Sequence, residues 1–196
     1  MKTQINNWRR LTIAFTLVTF LSLFNACKEK KESSPDAVKP TEMVKQPAVD
    51  IQTAVITEDT AVIKQYIAAG TGLNAKDPIG GSSPLISACL FGKTKIARML
   101  IDGGADLNLQ NNEGSTALHT AAFFCHPEIV KMLLQKGADK TIRNNYGKTA
   151  YESVEGSFAE VKPIYESLGN ILQPMGLKLD YTQLEKMRPV IAALLR

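Results

Sequence analysis

Apolar residues in the middle of this chain recur in a unit with two parts. The first part begins at a hydroxyl residue and continues through apolar and small residues, as at positions 83–89 and 116–122. The second part is a longer apolar run that ends shortly before a glycine, as at positions 96–101 and 129–134. A hydroxyl residue can cap the start of a helix, and a glycine beyond the last apolar residue is typical of a helix end. The pattern therefore predicts a short inner helix followed by a longer outer helix.

This unit repeats with a fixed period. The hydroxyl residues Ser83, Thr116 and Thr149 lie 33 residues apart, although the copy that begins at Thr149 is less regular. An earlier copy begins at Ile51, which lies 34 residues before Leu85, so the loop between these two copies contains one extra residue. A unit of this length cannot bury its apolar face alone, and the stacking of neighbouring units supplies the core. The repeat therefore predicts an all-α solenoid.

The sequence at positions 116–121, Thr-Ala-Leu-His-Thr-Ala, resembles the ankyrin-repeat signature T-P-L-H-x-A, with Ala117 in place of the proline. The resemblance extends over roughly residues 49–168. It implies an ankyrin-repeat domain at residues 48–169, built from about four helix-turn-helix repeats. It further implies that His119 hydrogen-bonds to loop backbone and that the concave side of the stack binds another protein.

The chain beyond the regular repeats predicts a closing segment. The copy after Thr149 decays into a weaker outer helix at residues 161–168, which we interpret as a capping repeat. Residues 170–196 form a C-terminal extension, in which positions 180–183 resemble a capping box that starts a helix. Apolar residues at helical spacing give that helix one apolar face, which we expect to close the end of the stack. The alternative is a partner-binding helix whose apolar face stays exposed.

The first 26 residues predict a signal peptide. Basic residues occur at the start, and positions 11–24 form an apolar run without charge. The run leads to Ala26 and Cys27, which resembles the cleavage site of a bacterial lipoprotein. This resemblance implies that Cys27 carries lipid and that the protein is anchored in the cell envelope, facing the periplasm or the cell surface. The alternative is an ordinary signal peptide that is cleaved before a free thiol.

Residues 27–47 are charged and rich in serine and proline, with no apolar periodicity, so they predict a flexible linker. The basic character of the chain comes mainly from the leader, because Lys2, Arg9 and Arg10 supply three units of the formal net charge of +4. The repeats carry no basic stripe with interleaved aromatic residues. We therefore expect no nucleic-acid partner.

The residues with reactive side chains do not form a recognisable chemical motif. Cys89 and Cys125 occupy different positions of successive units, which favours two separate buried thiols over a disulfide. Together with His119 and His126 they match no standard zinc spacing. The sequence also lacks a phosphate-binding loop, a nucleophile elbow and an HExxH motif. We therefore expect no metal, no cofactor and no enzymatic activity.

The ankyrin-repeat resemblance implies a partner-binding surface on the concave side and at the loop tips. The candidate residues are Leu90, Phe91, Asn112, Glu113, Ser115, Phe123, Phe124, Asn145 and Tyr146. Exposed apolar patches tend to be binding sites, and aromatic side chains often supply most of the binding energy. An alternative is that Leu90 and Phe123 fold inward against the neighbouring inner helix.

These features predict a monomeric, membrane-anchored module that binds a protein partner. The sequence does not identify that partner. A second hypothesis is an accessory or immunity-type protein that inhibits or protects a secreted enzyme or toxin.

Overall fold

The computed structural model describes residues 47–196. The predicted signal peptide, Cys27 and nearly all of the predicted linker lie outside the described residues. The described residues form eight α-helices and one short 3-10 helix. These are α1 (Ile51–Ile56), α2 (Thr60–Ala69), α3 (Pro84–Leu90), α4 (Thr94–Asp102), α5 (Ala117–Phe123), α6 (Pro127–Gln135), α7 (Phe158–Leu172) and α8 (Tyr181–Leu195), with the 3-10 helix Gln173–Met175 before α8. Between residues 47 and 196, no helix has the length and apolar character needed to cross a bilayer.

The first six helices form three pairs, α1 with α2, α3 with α4 and α5 with α6. The inner helices α1, α3 and α5 pack in one row, and the outer helices α2, α4 and α6 pack in a second row. The predicted helix caps are present, because the hydroxyl of Ser83 accepts a hydrogen bond from Ile86 N (3.3 Å) and that of Thr116 from His119 N (3.4 Å). The two-part unit read from the sequence is therefore confirmed.

A continuous apolar core runs between the two rows of helices. Its large, fully buried members in the second and third pairs are Leu85, Ile96, Leu100, Leu118, Ile129, Val130 and Leu133. Each such side chain contributes about 1.5–3 kcal/mol through burial. Because each pair contacts only its neighbours, the stability of the stack is a sum over adjacent pairs.

The chain departs from the repeat after the third pair. The expected inner helix after Thr149 is reduced to turns, although Ala150 and Val154 remain buried. The predicted helix at 161–168 exists as part of α7, but α7 packs mainly on α8 and has no substantial contact with the outer helix α6. The expectation that it stacks as the outer helix of a capping repeat is therefore wrong. The domain boundary predicted between residues 169 and 170 falls inside α7.

The C-terminal helix α8 closes the stack, as the sequence predicts. It packs against both α5 and α6, the last regular pair. Its start is capped by Asp180, whose carboxylate accepts a hydrogen bond from Gln183 N (3.0 Å). The face that meets the core carries Leu184, Ile191 and Leu195, all buried. A helix with one apolar stripe therefore covers a surface that a fourth repeat would otherwise bury.

A buried arginine connects the closing helix to its surroundings. The Arg188 guanidinium donates to the Tyr165 hydroxyl (3.2 Å) and to the carbonyl oxygens of Ser153 and Gly156 (both 3.3 Å). It makes no salt bridge with a carboxylate in the described part of the chain. The dipoles of these three acceptors therefore stabilise the buried charge. Through them Arg188 joins α8 to α7 and to the turns that replace the fourth inner helix.

Candidate interaction surface

Three loops connect successive units, and each is folded by one side chain. We call them loop 1 (residues 77–82), loop 2 (110–115) and loop 3 (143–148). In loop 1 the Asp77 carboxylate accepts from Gly80 N (2.7 Å). In loop 2 the Asn111 amide oxygen accepts from the backbone of Glu113 (3.0 Å), and in loop 3 that of Asn144 accepts from the backbone of Tyr146 (3.0 Å). These bonds fix the tight turns locally.

The three loops are also bonded to one another by a repeated pair of hydrogen bonds. Asn112 of loop 2 donates its backbone N–H to Gly80 O (2.9 Å) and its side-chain amide to Ile79 O (3.1 Å). Asn145 of loop 3 repeats both bonds one unit later, to Glu113 O (2.9 Å) and to Asn112 O (2.9 Å). We call this series of bonds the loop ladder. It holds the loop tips in a row.

The loops are braced from behind by side chains of the inner helices. His119 accepts from Thr116 N at Nδ1 (3.3 Å), so its ring proton lies on Nε2, which donates to Lys148 O (3.0 Å). Burial lowers the pKa of His119, which keeps the ring neutral. The predicted structural role of this histidine is confirmed. Gln52 occupies the equivalent position in α1 and donates in the same way to Ser82 O (2.9 Å). In the sequence, this role of Gln52 could have been recognised only by aligning the first unit with the others through its 34-residue offset.

Most of the loop residues predicted to bind a partner are accessible. Asn112, Glu113, Asn145 and Tyr146 are exposed, and Ser115 is half-buried. The amides of the two asparagines are engaged in the loop ladder. Tyr146 is 71% exposed, so most of its surface is in solvent.

One exposed apolar residue in this row was not predicted from the sequence. Ile79, at the tip of loop 1, is 91% exposed, more than any other large hydrophobic residue described. An isoleucine between Pro78 and Gly80, both turn-forming residues, was the available signal. Accessible side chains in the row therefore include an aliphatic group on loop 1, the Glu113 carboxylate on loop 2 and an aromatic ring on loop 3.

The expected exposed pair of phenylalanines at the end of α5 is not exposed. Phe124 is 7% exposed, so the expectation is wrong for this residue. Phe123 is half-buried, because the Tyr165 ring of α7 stacks on it with a centroid distance of 4.4 Å. The Tyr165 hydroxyl also donates to Phe123 O. Both rings are covered because α7 folds back over them, 42 residues further along the chain.

Leu90 and Phe91, at the end of α3, are half-buried. Phe91 lines a cleft of about 360 Å³, together with Phe124, His126 and the segment at residues 176–180. Part of the Phe91 side chain is therefore accessible beside the C-terminal extension.

The two cysteines of the repeats are separate, free and buried, as predicted. Burial raises the pKa of the Cys125 thiol to about 11 and raises that of Cys89 further. Both thiols are therefore protonated near neutral pH and are poor nucleophiles. Within residues 47–196, no three side chains of the types that bind metals lie close enough together to hold an ion.

The comparisons with known proteins agree with this architecture. Residues 51–144 match the family model for ankyrin repeats in three copies. The ankyrin repeat domain of Bcl-3, described as a unique member of the IkappaB protein family, is similar in structure with a TM-score of 0.51 and 30% sequence identity. The similarity covers 53% of this chain and 45% of that chain, so less than half of the Bcl-3 domain is matched. No curated protein matches the sequence.

The fold is therefore an all-α ankyrin-repeat solenoid with a helical C-terminal segment. Ankyrin repeats are typical of protein–protein interaction modules and usually act as non-enzymatic scaffolds. In total 452 solved chains match, and because one architecture serves so many proteins, the fold alone does not identify a partner.

Proposed function

We propose that this protein is an interaction module that is tethered to a bacterial membrane and binds a protein partner along its row of loops. The observation that carries the proposal is the loop ladder, which presents Ile79, Glu113 and Tyr146 side by side on a fixed backbone. A pre-organised surface loses little conformational entropy on binding, so its contacts translate more fully into affinity. Tyr146 has the chemistry of a typical binding hot spot.

The half-buried Leu90 and Phe91 supply a second, apolar part of this surface. Tyr165 of the chain itself stacks on Phe123, the residue equivalent to Leu90 one unit later. A partner side chain can pack on Leu90 and Phe91 in a similar way, because both are only half-buried and, within residues 47–196, no aromatic ring stacks on Phe91. The proposed contact surface therefore extends from the loop tips to the end of α3, and it excludes Phe123 and Phe124.

Site-specific photocross-linking tests this surface. We expect a benzophenone amino acid at Ile79 to form adducts with a defined partner in intact cells, and the same group at Gln135, exposed on the outer helix α6, to form none of them. Tyr146→Ala should reduce the Ile79 adduct at least about tenfold, because truncation of a hot-spot residue costs more than 1.4 kcal/mol. Equal adducts from Ile79 and Gln135 would refute the proposed surface. Identification of a secreted enzyme or toxin as the partner would favour the inhibitory or protective role.

The membrane tether rests on the sequence at Ala26 and Cys27. A flexible linker of about 20 residues has a mean reach of roughly 25 Å, so it would hold the repeats close to the bilayer. Facing the periplasm or the cell surface, the module would meet its partner at high effective concentration near the membrane.

Fractionation and mass spectrometry test the tether. We expect the mature protein in the membrane fraction, with an N-terminal cysteine whose mass includes acyl chains, since several chains hold a protein firmly in a bilayer. Cys27→Ser should release the protein or block its processing, whereas Ser34→Ala in the same linker should change neither. A Cys27→Ser protein that is processed normally and remains in the membrane fraction would rule out the lipid anchor.

A further inference from the structure

The loop ladder has an unfinished end at loop 3. In both inner steps, an asparagine of the next loop donates two hydrogen bonds to consecutive tip carbonyls of the preceding loop, namely those of Ile79 and Gly80, then those of Asn112 and Glu113. The equivalent carbonyls of loop 3 belong to Asn145 and Tyr146. Neither accepts a hydrogen bond from any residue between 47 and 196. Loop 3 therefore presents a pair of free acceptors at the spacing that an asparagine satisfies twice elsewhere in the chain.

The space beside these two carbonyls is also open. A Cβ atom added at Gly114 of loop 2 would lie 2.5 Å from the amide oxygen of Asn145 and 2.7 Å from its backbone nitrogen. Gly81 of loop 1 abuts Asn112 in the same way. At Gly147, the equivalent residue of loop 3, an added Cβ would meet no described atom within 4 Å. The volume that an asparagine fills beside loops 1 and 2 is thus available to another molecule beside loop 3.

A second copy of this chain does not fit the open end. Its loop 1 would have to supply the donors from position 79, where the residue is isoleucine and has no side-chain amide. The backbone N–H of Ile79 is already bonded to the Asp77 carboxylate (2.9 Å). The first loop is therefore closed on its outer side, and head-to-tail stacking of copies would leave both loop 3 acceptors unsatisfied.

We propose that loop 3 binds a turn or extended segment of a partner protein that presents one backbone N–H and one Asn or Gln side-chain amide. This segment extends the ladder by one step, with its backbone donating to Tyr146 O and its amide to Asn145 O, while the exposed Tyr146 ring packs against it. The mode is related to strand addition at the edge of a sheet, in which main-chain bonds provide affinity and side chains provide specificity. The inference rests on the proposed function, since it specifies the chemistry of the partner at part of the same surface.

The chain itself supplies the probe. A head-to-tail cyclic peptide with the sequence of residues 110–116 contains the Asn112 donors in their turn. We expect it to shift the NMR signals of the amides at 145–147 in the ¹⁵N-labelled mature protein in detergent micelles, with a millimolar dissociation constant because two bonds alone bind weakly. A peptide methylated at the Asn112 nitrogen, and one with Asn112→Leu, should each bind at least about fivefold more weakly, because each loses one of the two donors.

A blocking variant provides the matched control on the protein side. Gly147→Asn should abolish the peptide-induced shifts, because asparagine tolerates the left-handed backbone at this position (φ +71°) and its side chain enters the open space. Gly137→Asn, at a similar φ of +85° with nothing within 4 Å, should bind the peptide as the unmodified protein does. The thermal midpoints of the two variants should agree within a few degrees, which excludes unfolding as the cause.

Each of three results would overturn the proposal: no shifts at 145–147, an affinity that N-methylation of the peptide leaves unchanged, or shifts that persist in Gly147→Asn. If any of these results were found together with Tyr146-dependent adducts at Ile79, the proposed interaction surface would still be supported and only the ladder extension would be refuted. If the Ile79 adducts were absent but the peptide still bound and N-methylation weakened its binding, the ladder extension would stand and the wider interaction surface would be refuted.

Discussion

Tyr165→Ala should lower the free energy of unfolding by about 3–5 kcal/mol, the cost of truncating a fully buried aromatic side chain. Tyr165 is 0% exposed, and its ring stacks between Phe123 (4.4 Å between centroids) and Phe158 (5.8 Å). Its hydroxyl donates to Phe123 O and accepts from Arg188. The substitution therefore leaves a cavity, removes the hydroxyl donor from Phe123 O and leaves one N–H of the buried Arg188 guanidinium without its acceptor. Each of these consequences is destabilising.

Urea denaturation of the variant beside Tyr146→Ala measures this effect. Both variants lose a tyrosine ring, but Tyr146 is in solvent, so its loss should change the unfolding free energy by less than about 0.5 kcal/mol. Tyr165→Phe should fall between them, at about 1–3 kcal/mol, because it removes only the hydroxyl and its two bonds. If Tyr165→Ala were as mild as Tyr146→Ala, α7 would not be docked on the end of α5, and Phe123 and Phe124 would be available to a partner after all.

Ile191→Ala should lower the free energy of unfolding by about 2–5 kcal/mol. Ile191 is 0% exposed and belongs to the face of α8 that packs on the last regular helix pair. Its truncation opens a cavity at the point where the stack is closed. Because stability in a repeat stack depends on interfaces between neighbours, the third pair should lose cooperativity with the rest.

Val190→Ala is the matched control for this second experiment. Val190 precedes Ile191 in the same helix but is 46% exposed, so its truncation should cost less than about 0.5 kcal/mol. Amide hydrogen exchange would show which helices are destabilised. In Ile191→Ala, α5 and α6 should lose protection from exchange before α1 and α2 do. If the two variants lost equally little unfolding free energy, α8 would not contribute to the core.

These two helices also determine where a partner can bind. Since α7 covers Phe123 and half of the apolar row at the inner-helix ends, the accessible surface shifts toward Leu90, Phe91 and the loop tips. Arg188 strengthens this arrangement because it bonds to Tyr165 and to the turns after Thr149 at the same time. Substitutions at Arg188 and Tyr165 should therefore have non-additive effects on stability.

Several loop residues of the candidate surface could be predicted from the sequence because the repeat register carries their position. Asn112, Asn145 and Tyr146 lie at the tips of equivalent loops, and a 33-residue period is enough to align them. The same reasoning did not predict the burial of Phe123 and Phe124. The repeat register gives the position of a side chain within its own unit, but it does not show which other elements cover that side chain. Phe124 is buried by elements that follow the repeats and do not obey their period.

The sequence by itself determined the paired helices, their caps and their turns, since N-caps such as Ser83 and left-handed glycines such as Gly114 act within a few residues of the backbone they stabilise. Only the tertiary structure decided that α8 and not α7 closes the stack, and that the ladder ends open at loop 3. Each of these depends on contacts between residues that are far apart in the chain, and on which of two apolar faces packs better against the last pair. Local propensity and periodicity contain no information about that competition.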